Sequence, residues 1–225
     1  MADMGAFREA VTGWAAGGSG ESARELAARL PVRAVVLLEG PSDAAAVDAL
    51  AERRGRDLEG EGVCVLPMGG AMSVGRFARL LGPPPGLGLR LTGLCDVRER
   101  DFYARALEEA AAGAAQAQEQ VPGQAPEQAS GQGQRFFVCA ADLEDELIRA
   151  LGVARVEELV RAEGDLRALQ TFLRQPAQQG RTAQQQLRRF LGTKKGRKIR
   201  YGRVLVEALE PDRVPAPLDG LLTSL

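Results

Sequence analysis

The stretch Val35-Val36-Leu37-Leu38-Glu39-Gly40-Pro41-Ser42-Asp43 constrains this chain more than any other. Four apolar residues without alternation read as a buried strand, and Gly-Pro-Ser directly behind them marks a turn into a helix. The pattern recurs. Apolar runs at 89–95 and 136–139 also end in acid, at Asp96 and at Asp142 with Glu144. Strands are predicted at 33–38, 63–66, 89–95 and 135–140. Helices are predicted between them at 42–54, around Val74, Phe77, Ala78 and Leu81, and from Glu99 into Ala110. Alternation of this kind predicts an α/β fold, a parallel sheet with right-handed crossovers and helices on its faces. The acidic residues would then share the carboxyl edge of the sheet, where such sheets build their sites.

Around that sheet, residues 1–31 read as a helical segment broken at Gly17-Gly18-Ser19-Gly20, and 151–225 as a helical, basic C-terminal region. Helices are expected at 143–151, 156–163, 166–172, 184–191 and 204–209. Residues 111–134, rich in Ala, Gln, Gly and Pro, read as a flexible loop inside a domain spanning 32–150.

Composition narrows the chemistry. A chain of 225 residues that is 45% hydrophobic can build a substantial core, yet no apolar stretch approaches the roughly 20 residues that span a bilayer. We expect a cytoplasmic protein with no membrane partner. The three cysteines form no CxxC pair and fall in or at the ends of predicted strands, as small buried residues do. There is no histidine. Ser-His-Asp and Cys-His catalysis are excluded, and any metal must accept oxygen ligands. No P-loop motif occurs, and no G-x-G-x-x-G follows the first strand.

Each acidic group admits two readings. Ser42 and Asp43 suit a helix N-terminus, but capping gives no reason for Glu39 at a strand end. Asp96 and Glu99 have the spacing of a capping box, and acids from Asp142 to Glu146 complement a helix dipole. Together, carboxylates converging on one edge repel one another and raise each other's pKa unless a cation neutralises them. Hard oxygen ligands select Mg²⁺, Mn²⁺ or Ca²⁺. The candidate metal ligands are Glu39, Asp43, Asp96, Glu99, Asp142 and Glu144.

The net charge of −1 conceals an asymmetry, because residues 166–206 contain no acid. Arg188, Arg189, Lys194, Lys195, Arg197, Lys198 and Arg200 form a candidate phosphate-backbone surface, and a lysine of this segment, read as a loop, is placed to stabilise transition-state charge. The bland alternative is a solvated positive face.

These motifs resemble the Toprim domain, in the version carried by OLD-family (overcoming lysogenization defect) nucleases. The first motif is the strand with Glu39-Gly40 and Asp43. Leu66-Pro67-Met68-Gly69-Gly70 resembles the glycine turn after strand two, Leu94-Cys95-Asp96 the start of an Asp-x-Asp motif, and Asp142-Leu143-Glu144 the last acidic motif. The likeness covers roughly 32–150 and implies a Rossmann-like Toprim parallel sheet flanked by helices, with a helical C-terminal extension. It implies Mg²⁺-dependent (or Mn²⁺-dependent) phosphodiester hydrolysis on nucleic acid, DNA being the expected partner. Glu39, Asp43, Asp96 and Glu144 would be metal ligands or a base, with Glu39, Asp96, Lys195 and Lys198 carrying catalysis. Arg98 stands where the second acid of Asp-x-Asp belongs, so either Glu99 substitutes for it or one metal site is weak. Any ATP dependence would come from a partner ATPase in trans, and a homo-oligomer is compatible with the pattern. The rival readings are a degenerate Toprim module that binds nucleic acid or a partner ATPase without catalysis, and a small-molecule phosphotransferase or hydrolase on the same acidic edge.

Overall fold

The computed structural model describes residues 3–119 and 135–225, with the side chains of residues 114–119 and of Lys195 outside the described set. Four strands, β1 (Ala34–Leu38), β2 (Val63–Pro67), β3 (Arg90–Asp96) and β4 (Arg135–Cys139), pair in parallel in the order β2-β1-β3-β4. The helices are α1 (Met4–Ala15), α2 (Glu21–Arg29), α3 (Pro41–Arg53), α4 (Val74–Leu81), α5 (Arg100–Glu119) and α6 (Leu143–Leu151). They continue with α7 (Val153–Ala162), α8 (Leu166–Leu173), α9 (Ala183–Leu191), α10 (Lys195–Glu207) and α11 (Ala216–Ser224). None of the described helices is long and apolar enough to cross a membrane.

Every residue of β1 is buried, which is why its sequence shows an unbroken apolar run. Its side chains alternate between two cores. Val36 and Leu38 join Val63, Val65 and Leu94 against α3, α6 and the C-terminal helices. Val35 and Leu37 join Cys64, Leu66 and Leu91 against α1, α4 and α5. Cys64, Cys95 and Cys139 are buried and free.

The chain passes from β1 through α3 to β2 on one side, then returns through α4 to β3 on the other side of β1. A crevice between the carboxyl ends of β1 and β3 is the geometric result. It is where Glu39 and Asp96 emerge.

Three elements differ from the sequence expectation, and one of them, α11, has no counterpart among the expected helices. Helix α5 runs to Glu119, past the Ala110 limit set by the periodicity, because Ala-rich sequence favours helix whatever its loop-like composition. The rest of the expected flexible loop, 120–134, lies outside the described residues. The basic segment read as a loop is the first half of α10, a helix expected only from 204. Tyr201, Leu205 and Val206 give it a buried face despite its charge.

α10 packs against α3 more closely than most side chains permit. A Cβ on Gly202 would stand 2.4 Å from the carbonyl oxygen of Ser42, well inside contact distance. Arg203 ties the two helices further, donating to both carboxylate oxygens of Glu52 at 2.6 and 2.8 Å. Helix propensity alone would reward Gly202→Ala by about 1 kcal/mol. The clash with backbone should reverse the sign, to a net loss of about 1–3 kcal/mol. Urea unfolding of the variant in EDTA checks this, and a stabilised variant would show that α10 and α3 do not approach so closely.

Candidate metal centre at the sheet switch point

All six acids singled out in the sequence line one crevice of about 220 Å³, together with Arg188 and Lys198. A larger hollow of about 410 Å³ between α5 and β4 is walled mainly by Leu107, Ala111, Phe136 and Val138 and gathers no acidic cluster.

Within the crevice the acids fall into two sets. Glu39, Asp96 and Glu99 each offer a carboxylate oxygen, and these three atoms lie within 4.8 Å of one another. Glu39 follows β1, Asp96 ends β3, and Glu99 sits on the single 3-10 turn Val97–Glu99 behind it. That turn decides which neighbour faces the crevice. Arg98 is exposed, while Glu99 joins the cluster, as its substitution for the second acid of the motif requires. The Asp96 side chain accepts no capping hydrogen bond, so capping does not account for that carboxylate.

The second set is Asp43, Asp142 and Glu144, and each has a partner. Asp43 accepts the Gly40 N–H at 2.9 Å, so the helix-start reading is correct for one of its oxygens. Asp142 caps α6, accepting the Asp145 N–H at 2.8 Å, and its other oxygen takes Arg188 through Nε and Nη2, both at 2.6 Å. Both oxygens being engaged, Asp142 belongs to the frame of the site. Glu144, only 4% exposed, pairs with Lys198 Nζ at 3.1 Å through Oε1. Its Oε2 is buried with no hydrogen-bond partner.

Burial, followed by the charge of Glu144, pushes the Asp43 carboxyl up to about 7, against the pull of Lys198 and the Gly40 N–H. Burial also raises Asp96 to about 7, with Asp142, Glu99 and Glu39 adding to it and Arg188 opposing. Glu99 is raised by burial and by Glu39. Glu144 is raised by burial despite Lys198. For Lys198 burial acts downward, but Glu144, Asp43 and Asp142 outweigh it and hold the ammonium more firmly charged. A crevice of this kind draws cations.

The basic surface expected from the sequence is largely consumed by internal pairing. Arg197 is only 8% exposed; it stacks over Phe190 at 4.1 Å and donates to Asp165 at 3.3 and 3.4 Å. It is corrected here from a phosphate contact to a packing and ion-pair residue. Arg200 pairs with Asp165 and Glu163, and Arg188 and Lys198 point into the crevice. Arg189 and Lys194 are exposed and make no ion pair among the described residues, while the side chain of Lys195 lies outside them. The acid-free block concealed these pairs because its partners lie far away in sequence, at Glu52, Asp142, Glu144 and Asp165.

Residues 32–97 match the family model for the overcoming lysogenization defect protein-like TOPRIM domain. The chain carries an OLD-like Toprim domain. In fold it resembles the C-terminal region of the Xanthomonas campestris pv. campestris OLD protein, at 25% identity and TM-score 0.58, covering 86% of this chain and 93% of that one. The C-terminal region of the Burkholderia pseudomallei OLD protein is similar at 21% identity and TM-score 0.59, covering 85% and 96%. None of the curated proteins matches the sequence. The four-stranded parallel sheet and its flanking helices are thus those of an OLD-type Toprim fold.

The raised carboxyls set a pH dependence. An Asp96 whose folded pKa is about 7 against an ordinary 3.8 holds its proton better folded than unfolded. It therefore favours the native state at low pH and loses that contribution as pH rises from about 4 to about 7. In EDTA, Asp96→Asn should gain on the wild type through this window and level off above it, as read by thermal melts at a series of pH values. Excess Mn²⁺ at pH 8 should stabilise the wild type and not the variant. A wild-type and variant difference that is flat with pH would contradict the buried, crowded carboxylate.

Proposed function

We propose that this chain hydrolyses phosphodiester bonds of nucleic acid, with DNA as the expected substrate, using a divalent ion held by Glu39, Asp96 and Glu99. The observation that carries the proposal is the convergence of those three carboxylates within 4.8 Å at the switch point of an OLD-like Toprim sheet. The donor set fits the ion. All ligand atoms are hard carboxylate oxygens, and a buried Glu144 oxygen beside them has no partner of its own. Mg²⁺ or Mn²⁺ suits such oxygens.

When bound, such an ion supplies a Lewis acid and an activated water for attack on phosphorus. The chain supplies the rest. Glu39, Asp96 and Glu99 would hold the ion from three backbone positions fixed by β1, β3 and one turn. Lys198, on α10, brings a positive charge that a phosphoryl oxygen can take up as negative charge develops on it. Arg189 and Lys194 remain for the phosphate backbone, which their exposure suits. Lys195 is proposed for the same role on the strength of its place in the sequence.

A second reading is favoured by the internal pairing of Arg188, Arg197 and Arg200, which leaves less free basic surface than a polymer track would use. In it the same carboxylate edge serves a small phosphorylated molecule. The same assay separates the two. Purified protein with Mn²⁺ should cleave plasmid or single-stranded DNA, and Glu39→Ala should lower the rate by about 100-fold or more, as expected for loss of a direct metal ligand. Turnover of nucleotides with DNA left intact would favour the small-molecule reading. Unimpaired cleavage by Glu39→Ala would remove Glu39 from the site.

A further inference from the structure

A parallel sheet is ordinarily covered on both faces, and here a lane over the edge strand stays open among the described residues. On one face of β4, α11 packs so closely that a Cβ on Gly220 would stand 2.7 Å from the Phe137 ring. On the other face α5 packs on β3, and Phe136 and Val138 of β4 remain only half-buried. The result is the hollow of about 410 Å³ between α5 and β4. We propose that this hollow is a binding site for a small amphipathic molecule, an aromatic body carrying a single anionic group. Cys95 lines both this hollow and the acidic crevice, so the two are neighbours, but the apolar site is built from residues of its own, whatever the crevice holds.

Shape favours a small molecule over a protein partner. The volume falls in the range of pockets that enclose drug-sized ligands. Protein interfaces present apolar side chains outward, whereas Leu107, Phe136 and Val138 are recessed here. The large apolar residues exposed among the described ones are Met72 and Val97, and neither lines the hollow. The wall itself suits an aromatic occupant. Tyr103 and Phe136 meet edge to face with ring centroids 5.0 Å apart, and a third ring can join such a pair in the same geometry. Ala104 and Ala111 leave the room for it on the helix side. Polar groups set the rest. The Tyr103 hydroxyl is buried with no hydrogen-bond partner, a costly state that an acceptor on the occupant relieves. Arg100 is exposed, makes no ion pair among the described residues and opens α5, where the helix dipole also favours negative charge. Glu108 lines the hollow eight residues further on, about 12 Å along the helix axis, and repels a second anionic group there. An occupant with one acidic end, turned toward Arg100, satisfies both.

The test uses the full chain in EDTA and two fluorescent probes of similar aromatic frame, anilinonaphthalene sulfonate, which is anionic, and phenylnaphthylamine, which is uncharged. Fluorescence titration should show one saturable site per chain for each. Ala104→Trp and Ala111→Trp fill the hollow from exposed helix positions and should weaken both probes by about tenfold or more. Arg100→Gln should weaken the sulfonate by about fivefold and leave the neutral probe unchanged, and Glu108→Gln should tighten the sulfonate. Urea unfolding of each variant checks that the fold persists. Binding that survives both tryptophan variants lies elsewhere and would overturn the site. Equal loss of both probes in Arg100→Gln, or no loss of the sulfonate, would overturn the anionic class of ligand. Absence of binding would overturn the proposal outright, and a chain then found dimeric by sedimentation and made monomeric by Ala111→Trp would give the hollow to a second copy instead.

Discussion

The crowding of carboxylates at the carboxyl edge of the sheet is the constraint to which the rest of this molecule answers. Glu39, Asp43, Asp96, Glu99, Asp142 and Glu144 share one crevice, and two of them are almost wholly buried. Buried charges so close are tolerated only with compensation, by protons, by cations of the chain or by bound metal. All three remedies are legible here. Asp43 and Asp96 are pushed to about 7, Arg188 and Lys198 lean onto Asp142 and Glu144, and Glu39, Asp96 and Glu99 stand close enough to share one cation. Stability is thus given up at the edge where we propose that function is concentrated.

The helical C-terminal region gains its purpose from the same constraint. It completes the core on one face of the sheet through Tyr201, Leu205, Leu218 and Leu221. It also carries the two cations that enter the crevice. Gly202 is the point at which packing and chemistry meet, since without a side chain there α10 comes close enough to α3 to set Lys198 beside Asp43 and Glu144. Most of the positive charge of the segment is spent on such internal work: Arg197 and Arg200 hold Asp165, and Arg203 holds Glu52.

The sheet and its acidic edge could be read from the sequence because a doubly covered parallel strand writes itself as an unbroken apolar run, and Glu39 ended such a run without any capping role. Glu99 was legible as a candidate only because it is the next carboxylate after Arg98; the 3-10 turn that brings it beside Glu39 and Asp96 was not. α10 was harder to see, since its buried residues, Tyr201, Leu205 and Val206, are interleaved with Lys198, Arg200 and Arg203, and charge masked the periodicity. Arg197 was misread for a related reason. A run of basic residues carries no record of distant acids, and its partner Asp165 lies 32 residues away. Ion pairing of this kind belongs to tertiary structure, and only the bare need to neutralise buried acid hints at it.

The central claim is that Glu39, Asp96 and Glu99 form a divalent-metal site at the junction of β1 and β3. Its most direct test is an anomalous difference map from crystals of the wild type soaked in Mn²⁺. The account predicts a peak within coordinating distance of all three carboxylates. A map empty at that point, with manganese bound elsewhere or not at all, would contradict it.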